Sequence, residues 1–162
     1  MTYNHSHSGK NDRGRLAKKY RKESKILFEM IKIKSIVKDY HSKITQICYK
    51  KDSFTKSDVE EFKEAVTNIK SYLRLGHHSL NRLIYSIIIF RYAIEADFVT
   101  ALRYCDEALA SVPKDHPKCK SMQFSFLHKK ITPLIALGQL EEAKIIARKA
   151  GTMMPVGCSN WH

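Results

Sequence analysis

The sequence is poor in the residues that end helices and form tight turns, with six glycines and four prolines among 162 residues. A fold of many short strands needs more such residues, so long helices are favoured. Long apolar runs are also absent, and the most apolar stretch, residues 83–90, is far too short to span a bilayer. The first 24 residues lack the apolar core of a secretory signal. We therefore expect an all-α protein of the cytoplasm.

Cysteine is scarce as well, and Cys48, Cys105, Cys119 and Cys158 form no CxxC pair. This pattern favours reduced thiols that pack as small apolar residues. The motifs of serine hydrolases, zinc proteases, phosphate-binding loops and dinucleotide-binding loops are missing too. The sequence therefore predicts no catalytic residue and no cofactor, and we expect a protein that is not an enzyme.

Histidine gives the nearest approach to a metal site. His116-x2-Cys119 and Cys158-x3-His162 have the local spacing of zinc ligands. A structural zinc ion needs four ligands, and neither pair has a convincing second half. We therefore predict no metal site.

Acidic residues are too few to balance the basic ones, so the net charge is +13. Residues 1–51 alone hold 14 Lys or Arg against four Asp or Glu. The basic residues nearest the N-terminus of the expected first helix are Arg13, Arg15, Lys18, Lys19, Arg21, Lys22 and Lys25. Such a patch attracts nucleic-acid phosphates, anionic lipid or an acidic protein, and Tyr20 could stack on an unpaired base. A solvated helix face is the alternative.

Apolar residues recur at helical spacing through the first half of the chain. After a polar, disordered tail of residues 1–14, a long basic helix is expected from Leu16. Its apolar seam consists of Ile26, Met30, Ile33, Val37, Tyr40, Ile44 and Ile47. A second helix begins with a capping box of Ser57 and Glu60 and ends at Gly76. Its stripe consists of Val59, Phe62, Val66, Ile69 and Leu73. The two stripes predict a helical hairpin over residues 15–78, and dimerisation through the Ile26–Ile47 seam is the alternative.

The second half of the chain carries one pattern of small, aromatic and proline positions twice. The first copy consists of Tyr85, Ile88, Ile89, Tyr92, Ala101, Cys105, Ala108 and Pro113. The second consists of Leu127, Lys130, Ile131, Leu134, Gly138, Ala143, Ala147, Ala150 and Pro155. These spacings, over residues 82–157, resemble the tetratricopeptide (TPR) repeat, a helix-turn-helix unit of about 34 residues. Lys130, Pro133 and a longer connection at residues 114–121 depart from the family pattern. Pro133 predicts a kink in its helix or a break near Thr132.

The resemblance implies antiparallel helical hairpins stacked as a short right-handed solenoid, preceded by the long basic helix. Two TPR-like hairpins then fill residues 79–157. Residues 158–162 are expected to start a third repeat, with Trp161 as its leading aromatic. On this pattern we expect either that the native chain continues past His162 or that another chain covers the open end.

The resemblance further implies a scaffold or regulatory module that holds a peptide or helix of another protein. The partner-binding groove would lie on the first helix of each pair. Its residues would be Leu83, Ser86, Phe90, Ile94, His128, Thr132 and Ile135. The chain's own second helix could instead fill this groove. The Lys, Asn and Arg set of carboxylate-clamp adaptors is missing, so a chaperone-tail adaptor is not expected.

Two other functions follow from the basic first helix. A nucleic-acid-associated protein would use that helix to contact phosphates. A helical assembly subunit would use the Ile26–Ile47 seam to form a homo-oligomer. The sequence does not name the partner in any of the three cases.

Overall fold

The computed structural model describes residues 8–50 and 54–153, and every regular element in these ranges is a helix. The helices are α1 (Ser8–Lys50), α2 (Lys56–Ile69), α3 (His78–Ile94), α4 (Phe98–Ala110), α5 (Cys119–Ala136) and α6 (Leu140–Gly151). A short 3-10 helix, Lys70–Leu75, follows α2 and ends at Gly76, whose φ of 65° suits glycine. The predicted all-α class is confirmed for the described residues. The expected third repeat at residues 158–162 lies outside them.

The chain divides into two units, of which the first ends at Ile36 and the second begins at Val37. The boundary falls inside α1, so the first part of this helix is described apart from the rest. α1 begins at Ser8, ahead of the predicted start at Leu16. Residues 8–14 therefore belong to the helix, whereas residues 1–7 of the predicted tail lie outside the described ranges.

The part of α1 that follows Val37 packs against α2. Val37 and Ile44, two members of the predicted seam, are buried. Asn68 of α2 donates a hydrogen bond of 2.8 Å to the hydroxyl of Tyr40. The end of α1 therefore lies beside α2, as a hairpin of these two helices requires.

Thr55, and not Ser57, caps the N-terminus of α2. Thr55 Oγ1 accepts a hydrogen bond of 3.2 Å from the backbone N–H of Asp58. In return the Asp58 carboxylate accepts one of 2.8 Å from the backbone N–H of Thr55. The predicted capping box of Ser57 and Glu60 is therefore wrong by two residues.

α3 is the helix with the most neighbours in the second unit, since it packs against α2, α4 and α5. Its buried residues are Leu80, Ile84, Tyr85, Ser86, Ile87, Ile88 and Ile89. A turn at residues 95–97 leads into α4, where the Asp97 carboxylate accepts a hydrogen bond of 3.1 Å from the Thr100 N–H. α4 buries the small residues Ala101, Cys105 and Ala108, which let its backbone approach the neighbouring helices. The apolar stretch at residues 83–90 thus lies within a helix, as the expected all-α fold requires.

α5 and α6 form the second pair of packed helices. α5 continues through the buried Pro133 to Ala136, so a break near Thr132 is wrong. Pro133 has no N–H to offer the carbonyl of Lys129, four residues earlier. Gly138, with a φ of 74°, makes the turn into α6. α5 also contacts α3 and α4, so the first helices of the two pairs, α3 and α5, are neighbours.

Candidate functional site

The predicted groove residues lie on two helices in contact, α3 and α5. The half-buried members on α3 are Leu83, Phe90 and Ile94, and the exposed members on α5 are His128, Thr132 and Ile135. The seventh, Ser86, is buried, and its hydroxyl donates a hydrogen bond of 2.9 Å to the Arg82 carbonyl. The hydroxyl is therefore engaged within α3. The other six residues retain accessible surface.

Lys129 adds a charge to this surface, although the predicted groove did not include it. Its Nζ donates a hydrogen bond of 3.2 Å to Ser125 Oγ, one turn earlier on α5. The same atom lies 5.6 Å from the centre of the Phe90 ring on α3, within range of a cation–π attraction. Burial lowers the pKa of Lys129, and the positive charge of Arg82 lowers this pKa further. The ammonium group is thus held in partly desolvated surroundings.

His41 and Arg82 bring two more basic groups close to Lys129. Arg82 is an exposed residue near the start of α3, and His41 is a partly buried residue of α1. Burial lowers the pKa of His41, and the charges of Lys129 and then Arg82 lower it further. We call His41, Arg82 and Lys129 the basic cluster.

No carboxylate of the described residues neutralises the basic cluster. None of their Asp or Glu oxygens lies within 4.0 Å of a side-chain nitrogen of His41, Arg82 or Lys129. A partly desolvated charge without an opposite charge beside it costs folding free energy. The arrangement can therefore accept an anionic group from outside the chain.

Lys130, the next residue of α5, has the opposite environment. Its Nζ lies 2.9 Å from Asp106 Oδ1 on α4 and 3.5 Å from Glu142 Oε1 on α6. Burial lowers the pKa of Lys130, but the hydrogen bond and charge of Asp106 and the charge of Glu142 outweigh burial and raise it. The lysine that departs from the TPR pattern thus joins α4, α5 and α6.

Cys105 of α4 is buried, and its thiol is free. Burial raises the pKa of Cys105 to about 12, and the charge of Asp106 adds to the rise, while Lys130 and Lys129 oppose it. The thiol therefore stays protonated at neutral pH. It acts as a small apolar residue, as the scattered cysteines predicted.

The seven basic residues predicted to contact phosphates or an acidic partner are all exposed, along the first part of α1. Lys19 lies 3.9 Å from Glu23, one turn later on the same helix. The other six form no ion pair with a described residue. Their charges are therefore available at the surface of the helix.

Histidine and cysteine side chains do not assemble into a metal site within residues 8–50 and 54–153. No group of three or more His, Cys, Asp or Glu that could hold a metal ion occurs in these ranges. His116 pairs instead with His78, with ring centres 5.8 Å apart. The second predicted pair, Cys158 and His162, lies outside the described ranges. None of the described helices is long and apolar enough to cross a membrane.

Comparisons with protein-family models, with curated proteins and with solved structures gave no match to this chain.

Proposed function

We propose that this chain is a non-catalytic protein-interaction module of TPR type, in which the α3 and α5 groove receives a peptide or helix from another protein. α3–α4 and α5–α6 would be two stacked hairpins of a short right-handed solenoid. The packing of α3 against both α4 and α5 supports this arrangement. The burial of Ala101 and Ala143, at equivalent places of the two second helices, supports it as well.

The observation that carries the proposal is the unneutralised basic cluster. If Lys129 served only packing within the chain, an apolar side chain at its position would be at least as stable. A carboxylate from a partner would compensate for the hydration that Lys129 has lost, through charge-assisted hydrogen bonds to Lys129 and Arg82. Charge at this place therefore favours recognition over internal packing.

Apolar surface lies next to the basic cluster. Phe90 is half-buried under the Lys129 ammonium, and Ile135 is 53% exposed further along α5. An interface core needs such apolar contact, with polar groups fixing the register. The partner segment would therefore carry an Asp or Glu flanked by apolar residues.

A peptide-binding assay tests this function. Three sets of peptides share the same apolar residues and carry Asp or Glu, Asn or Gln, or Lys at the central positions. Binding of the full chain is measured by fluorescence anisotropy at 0.1 M salt. We expect the acidic set to bind at least about tenfold more tightly than the amide set, the size of one charge-assisted contact.

Matched variants separate the cluster from overall charge. Lys129→Met and Arg82→Met should each weaken binding of the acidic set. Lys120→Met removes one exposed lysine elsewhere on α5 and should leave binding unchanged. Equal binding of acidic and amide peptides, or an equal loss with Lys120→Met, would refute the proposal.

A further inference from the structure

The first part of α1 exposes large apolar side chains that no described residue covers. Leu16, Tyr20, Ile26, Leu27, Phe28 and Ile31 are between 54% and 73% exposed. Single exposed apolar residues are ordinary on protein surfaces, but six within sixteen positions of one helix form a patch. An apolar patch of this kind marks a surface that binds another molecule or a membrane.

Four of these apolar side chains share one side of the helix. At about 100° per residue, Leu16, Tyr20, Leu27 and Ile31 fall within an arc of about 60°. Phe28 lies about 60° beyond one edge of the arc. Beyond the other edge lie Ile26 and the pair Lys19 and Glu23, which are 3.9 Å apart and offset each other's charge. The four side chains within the arc therefore form a continuous apolar face.

The opposite side of the same segment is basic. Lys18, Arg21, Lys22 and Lys25 are exposed and fall within an arc of about 100° whose centre lies nearly opposite the apolar face. None of the four has a carboxylate within 4.0 Å among the described residues. An apolar face rich in Leu, Ile and Phe, opposed by a Lys- and Arg-rich face, is the pattern of helices that lie in a membrane interface.

We propose that residues 16–31 of α1 bind the surface of an anionic lipid membrane, with the helix lying in the plane of the interface. Leu16, Tyr20, Leu27 and Ile31, which share the arc, enter the boundary between headgroups and acyl chains. Phe28, beyond the edge of the arc, lies nearer the headgroups. The basic side chains reach the lipid phosphates through their flexible stems.

Lipid is favoured over a nucleic acid and over a second copy of the chain because it uses both faces of the segment. A nucleic acid would neutralise the basic face but leave the apolar face in water. A second copy of the chain would cover the apolar face but bring two segments together that each carry five Lys or Arg against two Glu. An anionic bilayer both neutralises the basic face and removes the apolar face from water.

Vesicle co-sedimentation of the full chain tests the inference. The probes are vesicles of phosphatidylcholine alone and vesicles of phosphatidylcholine with one third phosphatidylglycerol, each at 0.1 M and 0.5 M KCl. We expect the anionic vesicles to bind at least tenfold more protein than the neutral ones at 0.1 M KCl. The high salt should reduce binding but leave the apolar contribution.

Variants test each face. The double variant Leu27→Asn with Ile31→Asn should reduce binding to anionic vesicles at least tenfold. The double variant Lys18→Gln with Lys25→Gln should reduce binding and its dependence on salt. The control is Val99→Asn with Ile145→Asn, which removes two apolar residues that are similarly exposed in the second unit. Circular dichroism checks that each variant keeps the helix content of the unchanged protein.

Three outcomes would overturn the inference. One is equal binding to neutral and anionic vesicles, or no binding to either. Another is binding to random single-stranded oligonucleotides, without vesicle binding, that Leu27→Asn with Ile31→Asn leaves intact. The last is a dimer in light scattering that the same apolar variant dissociates while vesicles bind nothing. The first shows that no site selects anionic lipid, the second shows a nucleic-acid site and the third a homodimer surface.

Discussion

The two parts of α1 carry the same seam of apolar residues but differ in what covers it. Ile26 is 56% exposed in the first part, whereas Val37 and Ile44 are buried in the second. The spacing of the seam is identical on both sides of the boundary at Ile36. The difference lies in the neighbours, since α2 supplies Asn68 to Tyr40 and Glu61 to Lys43, 3.3 Å away. Periodicity thus predicts a helix face, and only the neighbouring elements decide whether that face is buried.

The same contrast recurs wherever two like residues have unlike surroundings. Thr55 and Ser57 are both capping residues by type, but only Thr55 caps a helix. Lys129 and Lys130 are adjacent lysines, but only Lys130 has carboxylate partners. Substitutions at such pairs measure what the surroundings contribute, because the residue type is held nearly constant.

The largest effect is expected within the seam itself. Ile44→Asp places a carboxylate where the side chain is 2% exposed, and an uncompensated buried charge costs about 3–5 kcal/mol. Ile26→Asp makes the same change at an exposed position and should alter the free energy of unfolding by less than about 0.5 kcal/mol. Urea unfolding followed by circular dichroism measures both. Equal losses at the two positions would mean that both parts of the seam are buried.

The second effect is a dependence of stability on alkaline pH, caused by Cys105. Its pKa is raised to about 12 in the folded protein, above its ordinary value of 9.0. The folded protein therefore retains the thiol proton that the unfolded chain releases, so the stabilisation is present below pH 9 and is lost as the pH rises towards 12. By pH 10 the unchanged protein should lose about 1 kcal/mol relative to Cys105→Ala.

The comparison with Cys105→Ala isolates this thiol from the lysines that titrate in the same range. Urea unfolding in the presence of a reductant at pH 7, 9 and 10 gives the two curves. The charged groups that act on Cys105 are Asp106, Lys129 and Lys130, and they remain in both proteins. Parallel curves over this range would show that the thiol is not buried in the fold.

The third effect concerns the N-terminus of α2. Thr55→Ala removes the hydroxyl that accepts from the Asp58 N–H, and loss of such a cap costs about 1 kcal/mol. Ser57→Ala changes an exposed residue inside the helix and should cost almost nothing, because alanine is the better helix former. Thermal unfolding of the two variants compares the sites. A larger loss of stability with Ser57→Ala would indicate that Ser57 caps α2, as the sequence alone predicted.

Most of the helical architecture could be predicted from the sequence, because its signals are local. Gly138 marks the turn before α6, and the glycine lies there with a positive φ. Two pairs of helices were predicted over residues 79–157, and α3 to α6 lie within residues 78–151. The cap of α2 was misplaced because Thr55 and Asp58 have the same spacing as Ser57 and Glu60, two residues later. The sequence alone does not select between the two pairs.

The chemistry of the groove could be predicted only in part. Its α3 and α5 faces follow from helical spacing, and Lys129 shares the α5 face because it lies four residues after Ser125. That spacing was the available signal for Lys129. His41 lies 41 residues before Arg82 in the sequence, and nothing local relates the two. A cluster assembled from α1, α3 and α5 needs the tertiary structure to be found.

The smallest effects, of opposite sign, are expected from the two adjacent lysines. Lys130→Met removes contacts to Asp106 and Glu142, whose side chains are largely exposed, and should cost about 0.5–1 kcal/mol at pH 7. Lys129→Met removes a partly desolvated charge without a carboxylate partner in the described chain and should raise the free energy of unfolding by about 0.5–1 kcal/mol. Urea unfolding at pH 7 compares the two variants with the unchanged protein.

The pH dependence of these two effects distinguishes charge from packing. The pKa of Lys129 is lowered in the folded protein by burial and then by Arg82, so its cost is present at neutral pH and is relieved as the pH rises towards the ordinary lysine value. His41 and Cys105 are the other titratable groups close to Lys129. The pKa of Lys130 is raised, so its contribution is present below the ordinary lysine value and is lost as the pH rises through the raised one. The gain from Lys129→Met should therefore shrink as the pH rises towards the ordinary lysine value, whereas the loss from Lys130→Met should shrink only above that value. If the gain from Lys129→Met stayed constant with pH, it would come from better apolar packing, and the unpaired charge on which the groove hypothesis rests would have no energetic cost.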